Sequence, residues 1–124
     1  MILVDSCVWI DLLKGKTTPA VQKLKEIQSQ KTPEICISSL IYFEILRGIP
    51  SDLERKRVQR ALDLLERRDH ENQNFSHLAS LYLRARSKGI AIPKVGDWLI
   101  LKTGLDHQLI LLTSDRDFYH LQAV

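Results

Sequence analysis

The sequence predicts one α/β domain, spanning residues 1–124, in which helices cover both faces of a parallel sheet. The length of 124 residues is that of one ordinary domain, and a chain of this size buries about two-thirds of its unfolded surface. The composition, 44% hydrophobic and 27% charged, is that of a globular protein. Short apolar runs alternate with helical patterns along the chain, which favours a parallel sheet.

Composition and charge exclude several other classes of protein. No apolar run approaches the roughly 20 residues that a membrane span needs, and the first residues lack the pattern of a secretory signal. We therefore expect a cytoplasmic protein with no membrane partner. Cys7 and Cys36 lie in apolar stretches, so we interpret them as core thiols. The net charge of +3 is mildly basic and indicates a polyanionic partner.

In the first half of the chain, apolar runs and helix-capping residues predict each element. An apolar run predicts the first strand, and Asp5 at its end can cap the following helix. Pro19 suits the first position of a second helix, whose apolar residues recur at helical spacing. Another apolar run predicts the second strand, and the serine pair after it caps a helix that carries Glu44. These elements are predicted at residues 2–4, 7–14, from 19 to a break at 33, at 35–37 and at 39–47.

The second half begins with a capping box at residues 51–54, which predicts the start of a long helix. The weakest prediction is a third strand, because no residue in it is apolar. The last strand is a clear apolar run that ends before Thr113. The predicted elements are helices at 51–68, 75–88 and 97–105, strands at 70–72 and 109–112, and a terminal helix through Phe118 and Leu121.

Acidic residues lie where such a sheet places its chemistry, at the carboxyl ends of the strands. Asp5 follows the first strand and Asp115 follows the last, while Asp97 opens a helix. Glu44 lies within an otherwise apolar helix, where a carboxylate is costly unless it is paired or bound to a cation. Carboxylates with no His or Cys among them favour Mg²⁺ or Mn²⁺. The pattern therefore indicates metal-dependent hydrolysis of phosphodiester bonds.

Each acid also has a purely structural interpretation. Glu44 could form a core ion pair with Arg47, one turn along the same helix. Asp5 and Asp97 could each serve only as a helix N-cap, and Asp115 could be a turn residue. It is the occurrence of all four at one predicted sheet edge that favours a functional site.

Four segments carry a family resemblance, and they lie at residues 4–10, 38–48, 97–100 and 111–118. In this order and at these spacings the chain resembles the PIN domains over almost its whole length, and within them the VapC-type toxin ribonucleases. The resemblance implies a PIN-like fold, with a short parallel central sheet of about four to five strands flanked by helices on both faces.

The resemblance also implies the activity and the residues that perform it. The chain would be a Mg²⁺- or Mn²⁺-dependent endoribonuclease that leaves a 5′-phosphate and a 3′-hydroxyl, and the toxin of a type II toxin–antitoxin module. Its partners would be RNA, a small antitoxin of the VapB type and a second copy of itself in a homodimer. The catalytic and metal-binding acids would be Asp5, Glu44, Asp97 and Asp115. Supporting hydrogen-bonding residues would be Ser6 and Thr113, with Asp117 as a further candidate.

Some features leave alternatives open. Lys102 stands where the family usually has small residues, which makes it a candidate contact to the site or the substrate. The basic residues of the long middle helix predict either a solvated face or an RNA-steering surface. A response-regulator receiver is disfavoured, because only one acid follows the first strand. A PIN-like binding module whose catalysis has lapsed is the remaining alternative.

Overall fold

The computed structural model of the chain describes residues 1–92, 94–116 and 118. Within these residues six helices flank a four-stranded parallel sheet, which confirms the predicted α/β class. The strands are β1 (Ile2–Val4), β2 (Ile35–Ile37), β3 (Glu66–Arg67) and β4 (Ile110–Leu112). The helices are α1 (Ser6–Leu13), α2 (Pro19–Gln28), α3 (Ser39–Leu46), α4 (Asp52–Leu62), α5 (Phe75–Ser87) and α6 (Val95–His107).

The strand order, β3-β2-β1-β4, places β1 between β2 and β4. Leu3 of β1 is paired in register with Cys36 on one side and with Leu111 on the other. All three pairings are parallel, so the carboxyl ends of the strands share one edge of the sheet. Asp5 follows β1 at this edge and Thr113 follows β4, which brings residues far apart in sequence together.

The core has two parts. The larger part is formed mainly by β1, β2 and the first three helices, and it includes Leu24, Ile37 and Ile41, none of which is accessible to solvent. Burying each such side chain contributes about 1.5–3 kcal/mol. The smaller part consists of Ala85 and Trp98 with their neighbours and joins α5 to α6. No helix in the described part of the chain is both long and apolar enough to span a membrane.

Side-chain caps explain why three helices begin where the sequence predicts. The hydroxyl oxygens of Thr18, Ser38 and Ser51 accept hydrogen bonds from the third N–H group after each of them, at 3.1, 3.2 and 3.4 Å. Each bond satisfies one of the backbone donors that a helix start leaves unpaired. The start of α3 is therefore fixed directly after β2, which positions Glu44.

The predictions around β3 are wrong in detail. The helix expected to reach residue 68 ends at Leu62, and the third strand lies at Glu66–Arg67 instead of residues 70–72. Because β3 is a two-residue edge strand with exposed side chains, main-chain pairing to β2 holds it and no apolar pattern marks it. Arg67 and Arg68 consequently do not belong to the basic face of α4.

The limits of α6 also differ from the prediction of residues 97–105. The helix begins at Val95 after Lys94, so Asp97 lies in its first turn and is not the N-cap. It ends at His107, and the C-cap residue Gln108 has a φ of 55°. Glycine usually occupies this left-handed conformation, and its absence removes the sequence signal for the helix end. The predicted terminal helix extends to Leu121, which lies outside the described residues.

Candidate active site

Asp5 is held firmly at the carboxyl end of β1. Its side chain caps α1 by accepting the N–H of Ser6 on Oδ1 at 2.8 Å. Its other oxygen, Oδ2, accepts the hydroxyl of Thr113 at 2.8 Å. Asp5 therefore caps α1, as its position after the first strand predicts. Because Asp5 is 5% exposed and bonded on both oxygens, its carboxylate has one defined orientation at the sheet edge.

Thr113 links the ends of β1 and β4. Its hydroxyl donates to Asp5 and accepts the backbone N–H of Asp115 at 3.0 Å. The structure thus joins Asp115 to Asp5 through one buried hydroxyl, as the predicted supporting role of Thr113 requires. The hydroxyl of Ser6 is 3.5 Å from Asp5, so Ser6 supports it mainly through its backbone N–H. Asp117 lies outside the described residues.

Glu44 is the acid with the least satisfied surroundings. Its Oε1 is buried and has no hydrogen-bond partner among the described residues. Burial is the main reason why the pKa of Glu44 is raised, and the negative charges of Asp5 and Asp97 raise it further. The positive charges of Arg47 and Lys94 act in the opposite direction. Three of the four predicted acids therefore interact electrostatically at this edge of the sheet.

The core ion pair between Glu44 and Arg47 is not formed. The ion pairs of the described part of the chain do not include these two side chains. The guanidinium of Arg47 instead lies 5.6 Å from the centre of the Phe43 ring, on the exposed side of α3. The structural interpretation of Glu44 is therefore wrong, and its buried oxygen needs another explanation.

The residues fit a hard cation in their chemistry but do not form a closed metal site. Among the described residues, no three His, Cys, Asp or Glu side chains lie close enough together to hold an ion. The acids nevertheless offer only oxygen atoms, which Mg²⁺ and Mn²⁺ prefer. A buried Glu44 oxygen without a donor is an atom that a cation would satisfy.

Lys102 does not reach the acids, contrary to the expectation from its sequence position. Its ammonium donates to Asp106 at 2.6 Å and to the Glu71 carbonyl at 2.8 Å. It also lies 4.6 Å from the centre of the Phe75 ring. With a side chain only 3% exposed, Lys102 is committed to a buried ion pair that fastens the segment before α5 onto α6.

Sequence reasoning missed the position of Cys7. Its sulfur lies 3.5 Å from Oδ2 of Asp5, and the Ser114 hydroxyl donates to it at 3.2 Å. Burial raises the pKa of the Cys7 thiol, and the charge of Asp5 raises it further. The thiol therefore stays protonated and donates to the carboxylate. The position of Cys7 in the first turn of α1, two residues after Asp5, is the sequence feature that could have indicated this contact. Cys7 and Cys36 are both free thiols, as expected.

A sequence model of the PIN domain family matches residues 2–124. The chain belongs to the PIN domain family. Two of its curated relatives are the VapC ribonuclease Mb1587 of Mycobacterium bovis and the ribonuclease VapC11 of Mycobacterium tuberculosis. Each is 24% identical over 119 residues, which cover 95% of this chain and 89% of the relative.

Solved structures confirm the PIN-like fold. The chain superposes on a toxin–antitoxin complex from Klebsiella pneumoniae with a TM-score of 0.67 and 23% identity, covering 95% of this chain and 90% of that one. It superposes on VapBC2 from Rickettsia felis, solved with a fragment of promoter DNA, with a TM-score of 0.73 and 18% identity. That alignment covers 96% of this chain and 91% of the other.

Proposed function

We propose that this PIN domain is a Mg²⁺- or Mn²⁺-dependent endoribonuclease and the toxin of a type II toxin–antitoxin module. The observation that carries the proposal is the buried, unsatisfied oxygen of Glu44 beside the charges of Asp5 and Asp97. A carboxyl group with a raised pKa at the carboxyl edge of a parallel sheet is a candidate for a functional site. The names of the VapC ribonucleases to which the chain is similar support the same activity.

Asp5, Glu44, Asp97 and Asp115 would hold the ion, and carboxylates that repel one another gain most from a cation between them. Asp5 is already oriented for this by the Ser6 N–H and the Thr113 hydroxyl. When bound, Mg²⁺ or Mn²⁺ would stabilise charge on the phosphate and make a water molecule more acidic.

Burial and the charges of Asp5 and Asp97 raise the pKa of Glu44, and a cation bound beside it would relieve both effects. The positive charges of Arg47 and Lys94 lower the pKa of Glu44. The same two side chains would bind the phosphates that flank the scissile bond. Attack of water on phosphorus with loss of the 3′ oxygen leaves a 5′-phosphate and a 3′-hydroxyl.

We also propose a small antitoxin of the VapB type as the partner, and a homodimer as the assembled toxin. The support for the antitoxin is that structural neighbours of the chain are toxins in complex with antitoxins. A basic antitoxin side chain would compete with the metal for the acidic site by charge.

The test is cleavage of a structured RNA pool by the purified protein in EDTA, Mg²⁺ or Mn²⁺. The Asp97→Asn variant, purified in parallel, controls for contaminating nucleases. We expect cuts that require metal, carry 5′-phosphate ends and are absent with the variant. Absence of cleavage together with weak Mn²⁺ binding would contradict the proposal and favour the lapsed binding module.

A further inference from the structure

The exposed side of α3 carries an aromatic ring and an arginine directly beside Glu44. With 3.6 residues per turn, Phe43 and Arg47 lie one above the other, and Glu44 lies about 100° further round the helix. The Phe43 side chain is 58% exposed, and the Arg47 guanidinium is 5.6 Å from its ring centre. The ring of Phe43 and the guanidinium of Arg47 therefore form an exposed pair of an aromatic and a cationic group on this side of α3.

Two cavities lie beside Phe43 and Arg47, and one of them is also lined by Glu44. One, of about 480 Å³, is lined by Ser6 and Glu44 among others. The other, of about 420 Å³, is lined by Tyr42 and Phe43 among others. Both are also lined by Arg47, Ile49 and Pro50, so the two cavities adjoin at these residues, and we refer to them together as the groove.

Arginine side chains lie in or beside the cavity that Tyr42 and Phe43 line. Arg55 lies in its wall, where its guanidinium is engaged by Asp52 and by the Ile49 carbonyl. Arg67 stacks 4.5 Å from the centre of the Tyr42 ring. Arg47, which lines both cavities, has no ion-pair partner among the described residues. The groove therefore suits a ligand that carries both flat apolar rings and negative charge.

We propose that Phe43 and Arg47 form a base-stacking subsite for single-stranded RNA, next to the acids. An unpaired base stacks on the Phe43 ring, and Arg47 binds the phosphate that leads towards Glu44. This proposal rests on the ribonuclease function proposed above and specifies its substrate: an unpaired nucleotide beside the scissile bond. Proteins commonly recognise unpaired RNA by stacking bases on aromatic side chains and arginine planes. An apolar protein segment would satisfy Phe43 but leave the charge of Arg47 without a counterpart.

The test measures binding in EDTA, so that no cleavage occurs. The probes are a fluorescent single-stranded RNA and an abasic chain of the same length, which keeps the phosphates and lacks the bases. We expect Phe43→Ala to weaken RNA binding about tenfold and to leave binding of the abasic chain unchanged. The conservative Phe43→Trp should retain RNA binding. Leu83→Ala, which removes a 64% exposed side chain from α5, is the matched control and should bind as wild type.

Phe43→Trp also provides a direct signal of stacking. Trp9 and Trp98 are only 7% and 6% exposed, so a new indole on α3 would be the accessible one among the described tryptophans. We expect RNA to quench its fluorescence and the abasic chain to leave it unchanged. This measurement decides the proposal even if Phe43→Ala fails to fold.

RNA binding by Phe43→Ala at wild-type affinity would overturn the subsite and leave an apolar protein segment as the occupant of the groove. An equal loss for RNA and abasic chain would overturn it too, because stacking would not be involved. Glu44→Gln separates this failure from that of the proposed function. If Glu44→Gln abolishes cleavage while Phe43→Ala binds normally, only the subsite is wrong. If Glu44→Gln cleaves like wild type, the proposed function is wrong.

Discussion

Two regions of the molecule bury a carboxylate oxygen. One region supplies it with hydrogen-bond donors, and the other leaves it without a partner among the described residues. Asp106 on α6 accepts the Lys102 ammonium at 2.6 Å and the Glu71 N–H at 2.8 Å. Burial alone would raise the pKa of Asp106, but these hydrogen bonds and the Lys102 charge hold it below its ordinary value. Glu44 on α3 has a buried oxygen with no partner among the described residues, and its pKa is raised.

The difference is the one we expect between an acid that stabilises the fold and an acid that binds a ligand. Asp106 has the donors that compensate for its burial, so it contributes to the fold. Glu44 has one buried oxygen without a hydrogen-bond partner among the described residues, and the negative charges of Asp5 and Asp97 act on it. A buried oxygen left without a donor can be satisfied by a bound cation. The contrast predicts that removing the charge of Glu44 leaves the free energy of unfolding equal or raised, whereas removing the ion-pair partner of Asp106 lowers it.

The largest effect is expected at the acidic edge. Glu44→Gln keeps the shape of the side chain and removes its charge, so RNA cleavage should fall by about a thousandfold or more. The free energy of unfolding of the metal-free protein should stay equal or rise, because an uncompensated buried charge is lost. Single-turnover cleavage and urea denaturation measure the two effects. Glu26→Gln, at an exposed position on α2, is the control for both, and a destabilised Glu44→Gln would contradict the comparison.

Lys102→Met tests the other side of the comparison. Removing one partner of a buried ion pair leaves Asp106 uncompensated and should lower the free energy of unfolding by about 3–5 kcal/mol. Lys23→Met, at an exposed ion pair on α2, should change it by about 1 kcal/mol or less. The double variant Lys102→Met with Asp106→Leu should recover much of the loss. Urea denaturation that shows equal losses for Lys102 and Lys23 would mean that the buried pair is not structural.

Some parts of the fold and of the candidate site could be predicted from the sequence, and others could not. Asp5 and Glu44 could be placed at one edge, because β1, β2 and their caps have strong local signals. The strand β3 could not be placed, because its two residues are exposed and main-chain pairing alone defines them. The contact of Lys102 with Glu71 could not be predicted either, since Glu71 is 31 residues away in the sequence and contributes only its carbonyl. Contacts made by the backbone across the chain leave no pattern in side-chain type.

A smaller loss of activity is expected at Thr113. Thr113→Val removes the hydroxyl that donates to Asp5 and accepts from the Asp115 N–H. Loss of a residue that orients a metal-binding carboxylate typically costs about 10–100-fold in activity or metal affinity. Thr113→Ser keeps the hydroxyl and should retain activity. Cleavage rates at several Mn²⁺ concentrations measure the effect, and equal rates for the two variants would show that the hydroxyl does not support Asp5.

The smallest effect is the pH dependence of stability, and its sign differs between the two acids. The folded pKa of Asp106 is below the ordinary value of 3.8, so its contribution is present above that pH and is lost as the pH falls through the folded pKa. The folded pKa of Glu44 is above the ordinary value of 4.5, so its favourable contribution is present below that pH and is lost as the pH rises through the folded pKa.

Urea denaturation of the metal-free proteins across acidic to neutral pH separates the two carboxylates. Relative to Asp106→Asn, the wild-type protein should be more stable at neutral pH, and its advantage should shrink below about pH 4. Relative to Glu44→Gln, the wild-type protein should be equally stable in acid and should become less stable as the pH rises above about 4.5. Curves that diverge in the same direction for both variants would mean that Glu44, like Asp106, is satisfied by the protein alone. The case for a cation at the acidic edge would then lose its physical basis.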